Sequence, residues 1–162
     1  MRNFRIDDES GNQEALFEWA SYNQRRFPVL EYMHHIPNGG RRDKTTAIAL
    51  KRQGVKAGVP DIFLPASRGG WHGLYIELKA GKNRTTEHQD HFLMYLHEAG
   101  YLTAVCYGWQ TAAHIIELYL TKPHTFWGQA ETLVLHEGES IGITEPEEQQ
   151  EPAPAVKQRE KR

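Results

Sequence analysis

An α/β domain, with a central mixed β-sheet flanked by helices, is what this sequence predicts. Segments with helically spaced apolar residues alternate along the chain with short, strand-like apolar runs. Two of those runs, Asp61 to Pro65 and Gly73 to Lys79, follow one another across a single short loop, as neighbours in an antiparallel pair do. The 162 residues amount to about one domain, long enough to bury a core without disulfides or structural metals.

Gln13 to Tyr22 places Leu16, Phe17, Trp19 and Ala20 at spacings of three and four, which predicts an amphipathic first helix. Pro28, Pro37, Asn38, Gly39 and Gly40 then mark a loop. Lys44 to Gln53 reads as a second helix that packs Ala47, Ile48 and Leu50 and ends at Gly54. The two strands follow, separated by Ser67-Arg68-Gly69-Gly70. Thr86-Glu87-His88-Gln89 has the spacing of a capping box, and Phe92, Leu93, Leu96 and Ala99 form the apolar stripe of a helix closed by Gly100. Tyr101 to Tyr107 is a strand, and Thr111 to Leu120 a helix that stops before Pro123. Residues 123–143 read as a peripheral extension with a strand at Thr132 to Leu135. From 144 to 162 the chain is rich in Glu, Gln, Pro, Lys and Arg, too poor in apolar residues to offset the ordering entropy, and is expected to be a disordered charged tail.

Cys106, the single cysteine, lies in the apolar run Leu102 to Tyr107, so no intrachain disulfide is possible and a buried strand in a reducing compartment is expected. Met1 to Ser10 is charged, and no apolar run approaches the roughly 18 residues that span a bilayer, so the expectation is a soluble cytoplasmic protein without a membrane partner. Net charge is −2, but Arg41, Arg42, Lys44, Lys51, Arg52 and Lys56 cluster against one acid, Asp43. Lys79, Lys82 and Arg84 form a second basic group; either cluster serves as a solvated face or as a contact for phosphate backbone.

Glu77 and Lys79, two apart on one strand, project from the same face, while Ile76 and Leu78 point to the other. Asp61 opens the preceding strand directly after Gly58-Val59-Pro60, so a hairpin brings its carboxylate beside that of Glu77. Two acids held close repel unless a cation lies between them, and a hard divalent ion with oxygen ligands, Mg²⁺ best, meets that need. Such an ion beside an ammonium group is the equipment for phosphodiester hydrolysis. An ion pair at a strand end, with Asp61 capping a turn, would use the same residues.

The motifs extend beyond this core. Glu9-x-x-x-Gln13, Ile36-Pro37-Asn38-Gly39-Gly40, Gly54-Val55-Lys56-Ala57-Gly58-Val59-Pro60-Asp61, Gly73-Leu74-Tyr75-Ile76-Glu77-Leu78-Lys79, Gln89 and Gly100-Tyr101 occur in this order. Together they resemble the PD-(D/E)xK nuclease signature, and specifically the VRR-NUC family, from about Glu9 to Leu120.

The resemblance implies a restriction-endonuclease-like core, a nuclease domain over residues 1–122, and DNA cleavage dependent on Mg²⁺ or Mn²⁺. It implies Asp61, Glu77 and the Leu78 carbonyl as metal ligands, Lys79 as catalytic lysine, and Gln89 pointing to the site, although a plain capping box would use Gln89 as well. Glu9, which shares a helix face with Gln13, is the acid that the first helix would add to the metal; Gly11 weakens that turn, and Glu14 or Glu18 could take its place. Asn38, in a DNA-proximal loop or a plain turn, joins Arg41, Arg42, Lys44, Lys56, Lys82 and Arg84 as candidate DNA contacts. The family also implies a homodimer that cuts branched DNA in the manner of a Holliday-junction resolvase, and a phage origin in a bacterial host. A nicking or nonspecific endonuclease, or a DNA-binding module without catalysis, are the competing readings.

Three other features carry less. His88, His91, His97 and Cys106 lack the paired spacing of a structural zinc site. Trp71, Trp109 and Trp127 suit a core as well as base stacking. No Gly-Lys-Ser/Thr follows Gly39-Gly40, so no phosphate-binding loop is formed there.

Overall fold

The computed structural model of the chain describes residues 8–38, 44–123, 127 and 132–137. Along the chain come α1 (Glu9–Asn23), a short 3-10 helix (Pro28–Tyr32), β1 (His34–His35), α2 (Lys44–Arg52), β2 (Ile62–Leu64), β3 (Leu74–Lys79), α3 (Glu87–Glu98), β4 (Leu102–Tyr107), α4 (Trp109–Thr121) and β5 (Leu133–Leu135). The strands make one sheet in the order β1-β2-β3-β4-β5. β1, β2 and β3 pair antiparallel, whereas β3, β4 and β5 run parallel, which is the mixed α/β sheet that the sequence predicts.

Alternation divides the sheet into two chemically different faces. Ile62, Leu64, Leu74, Ile76, Leu78, Leu102, Ala104 and Cys106 face the main core, where α1 adds Leu16 and Ala20 and α4 adds Ala112, Ile115, Ile116 and Tyr119. Burial pushes the Cys106 thiol up to about 12, against a weaker opposing hydrogen bond from Thr111, so it packs as an inert apolar group. The opposite face carries Phe63, Tyr75, Glu77, Lys79 and Val105, and α3 packs against β4. One face of β3 therefore feeds the core, and the other carries the charges.

Several elements differ from the sequence expectation. α1 starts at Glu9 instead of Gln13, because the Asp8 carboxylate accepts from the Gly11 backbone at 2.7 Å and caps the turn that Gly11 weakens. The expected loop before Asn38 holds the short 3-10 helix and the two-residue β1. α4 begins two residues early, at Trp109, whose backbone N–H is bound by Asn12 Oδ1 at 2.8 Å. The strand expected in the extension forms and pairs with β4, Leu135 is buried, and Trp127, 1% exposed, is part of the core. Trp71 and Trp109 also pack against the core. The tail from 144 to 162 lies outside the described residues. Among the described residues, no helix is long and apolar enough to cross a membrane.

Candidate active site

Ile62 pairs with Ile76 and Phe63 with Tyr75, so the same register carried one step further sets Asp61 opposite Glu77. Both acids then project from the charged face of the sheet. The Asp61 carboxylate is fixed, with Oδ2 accepting from the Leu78 backbone N–H at 2.9 Å. Its carbonyl oxygen accepts from the Ile36 N–H at 2.7 Å and lies 2.8 Å from His35 Nδ1.

The loop delivering Asp61 is held from two sides. Asn38 Nδ2 donates to the Val59 carbonyl at 2.7 Å. Gly58, at φ +88°, passes so close to α3 that an added Cβ would collide with the His88 carbonyl group, 2.6 Å from its carbon. Only glycine satisfies both the positive φ and that approach.

Glu77 is 1% exposed and Lys79 5% exposed. Glu77 Oε1 accepts from Lys79 Nζ at 2.7 Å and from Gln89 Nε2 in a short hydrogen bond. Glu77 Oε2 is buried and, among the described residues, has no hydrogen-bond partner. The Gln89 side-chain oxygen accepts from the Thr86 backbone N–H at 2.9 Å, so one side chain closes the capping box and reaches the site with its amide nitrogen. Glu9 Oε1 lies 3.9 Å from Lys79 Nζ and accepts from Asn83 Nδ2 at 3.2 Å.

Burial and, next, the nearby Asp61 charge push Glu77 up to about 7, against the hydrogen bond and charge of Lys79. Burial likewise raises Asp61, against the Leu78 N–H and the Lys79 charge. For Lys79, burial acts downward but is outweighed by the hydrogen bond and charge of Glu77, with Glu9 and Asp61 adding, and the ammonium ends above its ordinary value. The two acids are thus destabilised as anions while the lysine is stabilised as a cation.

The donors fit a hard divalent cation. Glu77 keeps one oxygen anchored, and the other has no hydrogen-bond partner among the described residues. In a strand the N–H and C=O of one residue point to the same edge, so the Leu78 carbonyl lies on the edge where its N–H meets Asp61. Among the described residues, no three His, Cys, Asp or Glu side chains gather as a ready-made cage. Two carboxylates and a carbonyl are oxygen donors of the kind that a hard divalent cation takes, with water to complete its shell.

The remaining predicted residues fall outside this cluster. Lys56, Lys82 and Arg84 are exposed, Asn38 serves the Val59 loop, and Lys44 opens α2. Arg41, Arg42, Gly39, Gly40 and the Lys44 side chain lie outside the described residues. Sequence reasoning missed Asn83 and His35. A turn asparagine carries no sign that it reaches Glu9, 74 positions back, and His35 acts only through a β1 that the loop residues did not announce.

The family model for the VRR-NUC domain matches residues 7–110, a span that contains Glu9, Asp61, Glu77, Lys79 and Gln89. A solved structure described as a VRR_NUC domain protein aligns with a TM-score of 0.61 at 31% identity, covering 72% of this chain and 90% of that one. Among curated proteins, none matches. The chain belongs to the VRR-NUC family of nucleases.

Proposed function

We propose that this nuclease is a metal-dependent DNA endonuclease whose reacting groups are Asp61, Glu77 and Lys79. The observation that carries this reading is the divided carboxylate of Glu77, with one oxygen bound by Lys79 and Gln89 and the other buried with no hydrogen-bond partner among the described residues. A Mg²⁺ or Mn²⁺ ion held by Asp61, Glu77 and the Leu78 carbonyl would supply polarisation of the phosphodiester and a more acidic bound water. Asp61 and Glu77 give the anionic oxygens, and Gln89 fixes the orientation of Glu77. Lys79 remains an ammonium beside the carboxylates, positioned to stabilise charge that develops on phosphate oxygens. Glu9 Oε1 lies 3.9 Å from Lys79 Nζ and its charge raises both Asp61 and Glu77, so it would be the further acid that the first helix adds to the metal site.

Branched DNA is the proposed preferred substrate, cut by a homodimer that applies one site to each strand. Support for recognition of shape comes from the exposed basic residues Lys51, Arg52, Lys56, Lys82 and Arg84, because phosphate contacts position a duplex without reading its sequence. The test compares a four-way junction, a flap, a linear duplex and plasmid as substrates, with Mg²⁺, Mn²⁺ or EDTA. Cleavage with either metal, abolished by EDTA and by Lys79→Ala and strongest on the junction, is expected. Binding of these DNAs with no cleavage in either metal would establish a non-catalytic module instead.

A further inference from the structure

α2 is the one described helix whose side chains the fold leaves largely unused. Thr45, Thr46, Ala47, Ile48, Ala49, Lys51 and Arg52 are exposed, Leu50 is half-buried, and Ile48 keeps 61% of its surface in solvent. Among the described residues, no other helix or strand makes an extensive contact with it. A helix this short is marginal in water on its own. It is closed by a defined C-terminal motif: Gly54, at φ +95°, donates to the Lys51 carbonyl at 3.1 Å, and Val55 donates to the Leu50 carbonyl at 3.0 Å. The chain thus specifies a helix that it does not bury.

Its charge indicates the occupant. Lys44, Lys51, Arg52 and Lys56 fall between 44 and 60 with no acidic residue among them, in a chain whose net charge is −2. Lys51 and Lys56 flank a shallow groove of about 400 Å³ between α2 and residues 55–57, which Asn38 also lines. Asn38 in turn holds Val59, two residues before Asp61, so a ligand held at this groove is registered against the carboxylates. A second copy meeting through the same face would set like charges against each other.

We propose that α2, through Lys51 and Arg52 with Lys56, grips the phosphate backbone of duplex DNA flanking the cleaved bond. This rests on the nuclease reading above and extends it to residues outside the reacting cluster. Backbone contacts of this kind release counterions, so they show in the salt dependence of binding, and they position the substrate without entering the chemical step.

The test measures binding of a short fluorescent duplex without divalent metal over a range of salt, for the wild type and for Lys51→Gln/Arg52→Gln. Both side chains are exposed, and equal melting temperatures confirm the folded state of the variant. The expected result is binding weakened by about tenfold and a log–log salt slope shallower by about 2. Cleavage at saturating DNA should be unchanged and KM raised. Unchanged affinity and slope overturn the proposal, as does an Ile48→Asp variant that turns a self-associated wild type into monomers while binding DNA normally. Loss of duplex binding in the double variant, with no cleavage by the wild type in any metal, would sink the nuclease reading and leave the α2 surface standing.

Discussion

Glu77 turns one carboxylate oxygen to Lys79 at 2.7 Å and leaves the other buried with no hydrogen-bond partner among the described residues. A buried acceptor without a donor is costly in a finished core. Under the proposed function, a cation shared with Asp61 would satisfy that oxygen.

Replacing Lys79 with alanine removes the cation that holds Glu77 Oε1. Cleavage should fall by at least about 10²-fold, the usual loss when a group that stabilises developing charge is deleted. DNA affinity should change little, because the lysine is 5% exposed and acts on the reacting phosphate. Single-turnover kinetics beside a binding isotherm separate the two, and full activity in the variant would refute the assigned role.

The elevated Glu77 predicts how pH acts on the metal-free protein. Its value of about 7 in the fold exceeds the ordinary 4.5, so between these limits the folded chain retains a proton that the unfolded chain has released. Stability from this group is fully present below 4.5 and is lost as pH rises through about 7, with the raised Asp61 acting in the same direction. Mn²⁺ binds the carboxylate form, so the melting temperature gained on adding it should be larger on the alkaline side of pH 7 than on the acidic side. A metal-induced gain that is independent of pH would contradict this.

Gly58→Ala tests how Asp61 is delivered. A side chain at φ +88° is strained, and its Cβ would strike the His88 carbonyl group. Stability should drop by about 2 kcal/mol or more, and cleavage should fall beyond the loss of folded protein because the loop leading to Asp61 must move. Thermal unfolding and a specific-activity assay on folded protein measure the two effects, and wild-type values for both would count against the constraint.

Asn83 holds Glu9 at 3.2 Å from the turn after β3. Asn83→Ala should slow cleavage by less than about tenfold, the value of one exposed hydrogen bond. Asn83→Asp should be slower still, since it sets a second carboxylate against Glu9. The reverse order, or equal rates for Asn83→Asp, Glu9→Gln and the wild type, would remove Glu9 from the working site.

The arrangement of the candidate cluster was legible in the sequence because strand alternation is a short-range rule: Glu77 and Lys79 share a face wherever β3 forms, and only β2 had to pair correctly to add Asp61. Gln89 was legible as a capping residue and as a neighbour of the acids, and its two ends meet the Thr86 N–H and Glu77. Long-range contacts were not legible. The place of β5 depends on pairing with β4 across a helix, and the burial of Trp127 on its approach to Gly69, neither of which leaves a periodic pattern. The Asp8 cap extended α1 past a glycine that local propensity treats as a break, and so brought Glu9 within reach of Lys79.

Calorimetric titration of Mn²⁺ into the wild type and into Asp61→Asn, on the alkaline side of pH 7, tests the pairing of the two acids most directly. Binding by the wild type, weakened at least about tenfold in the variant while both melt alike without metal, is the predicted result. Equal Mn²⁺ affinity in the two proteins would contradict it.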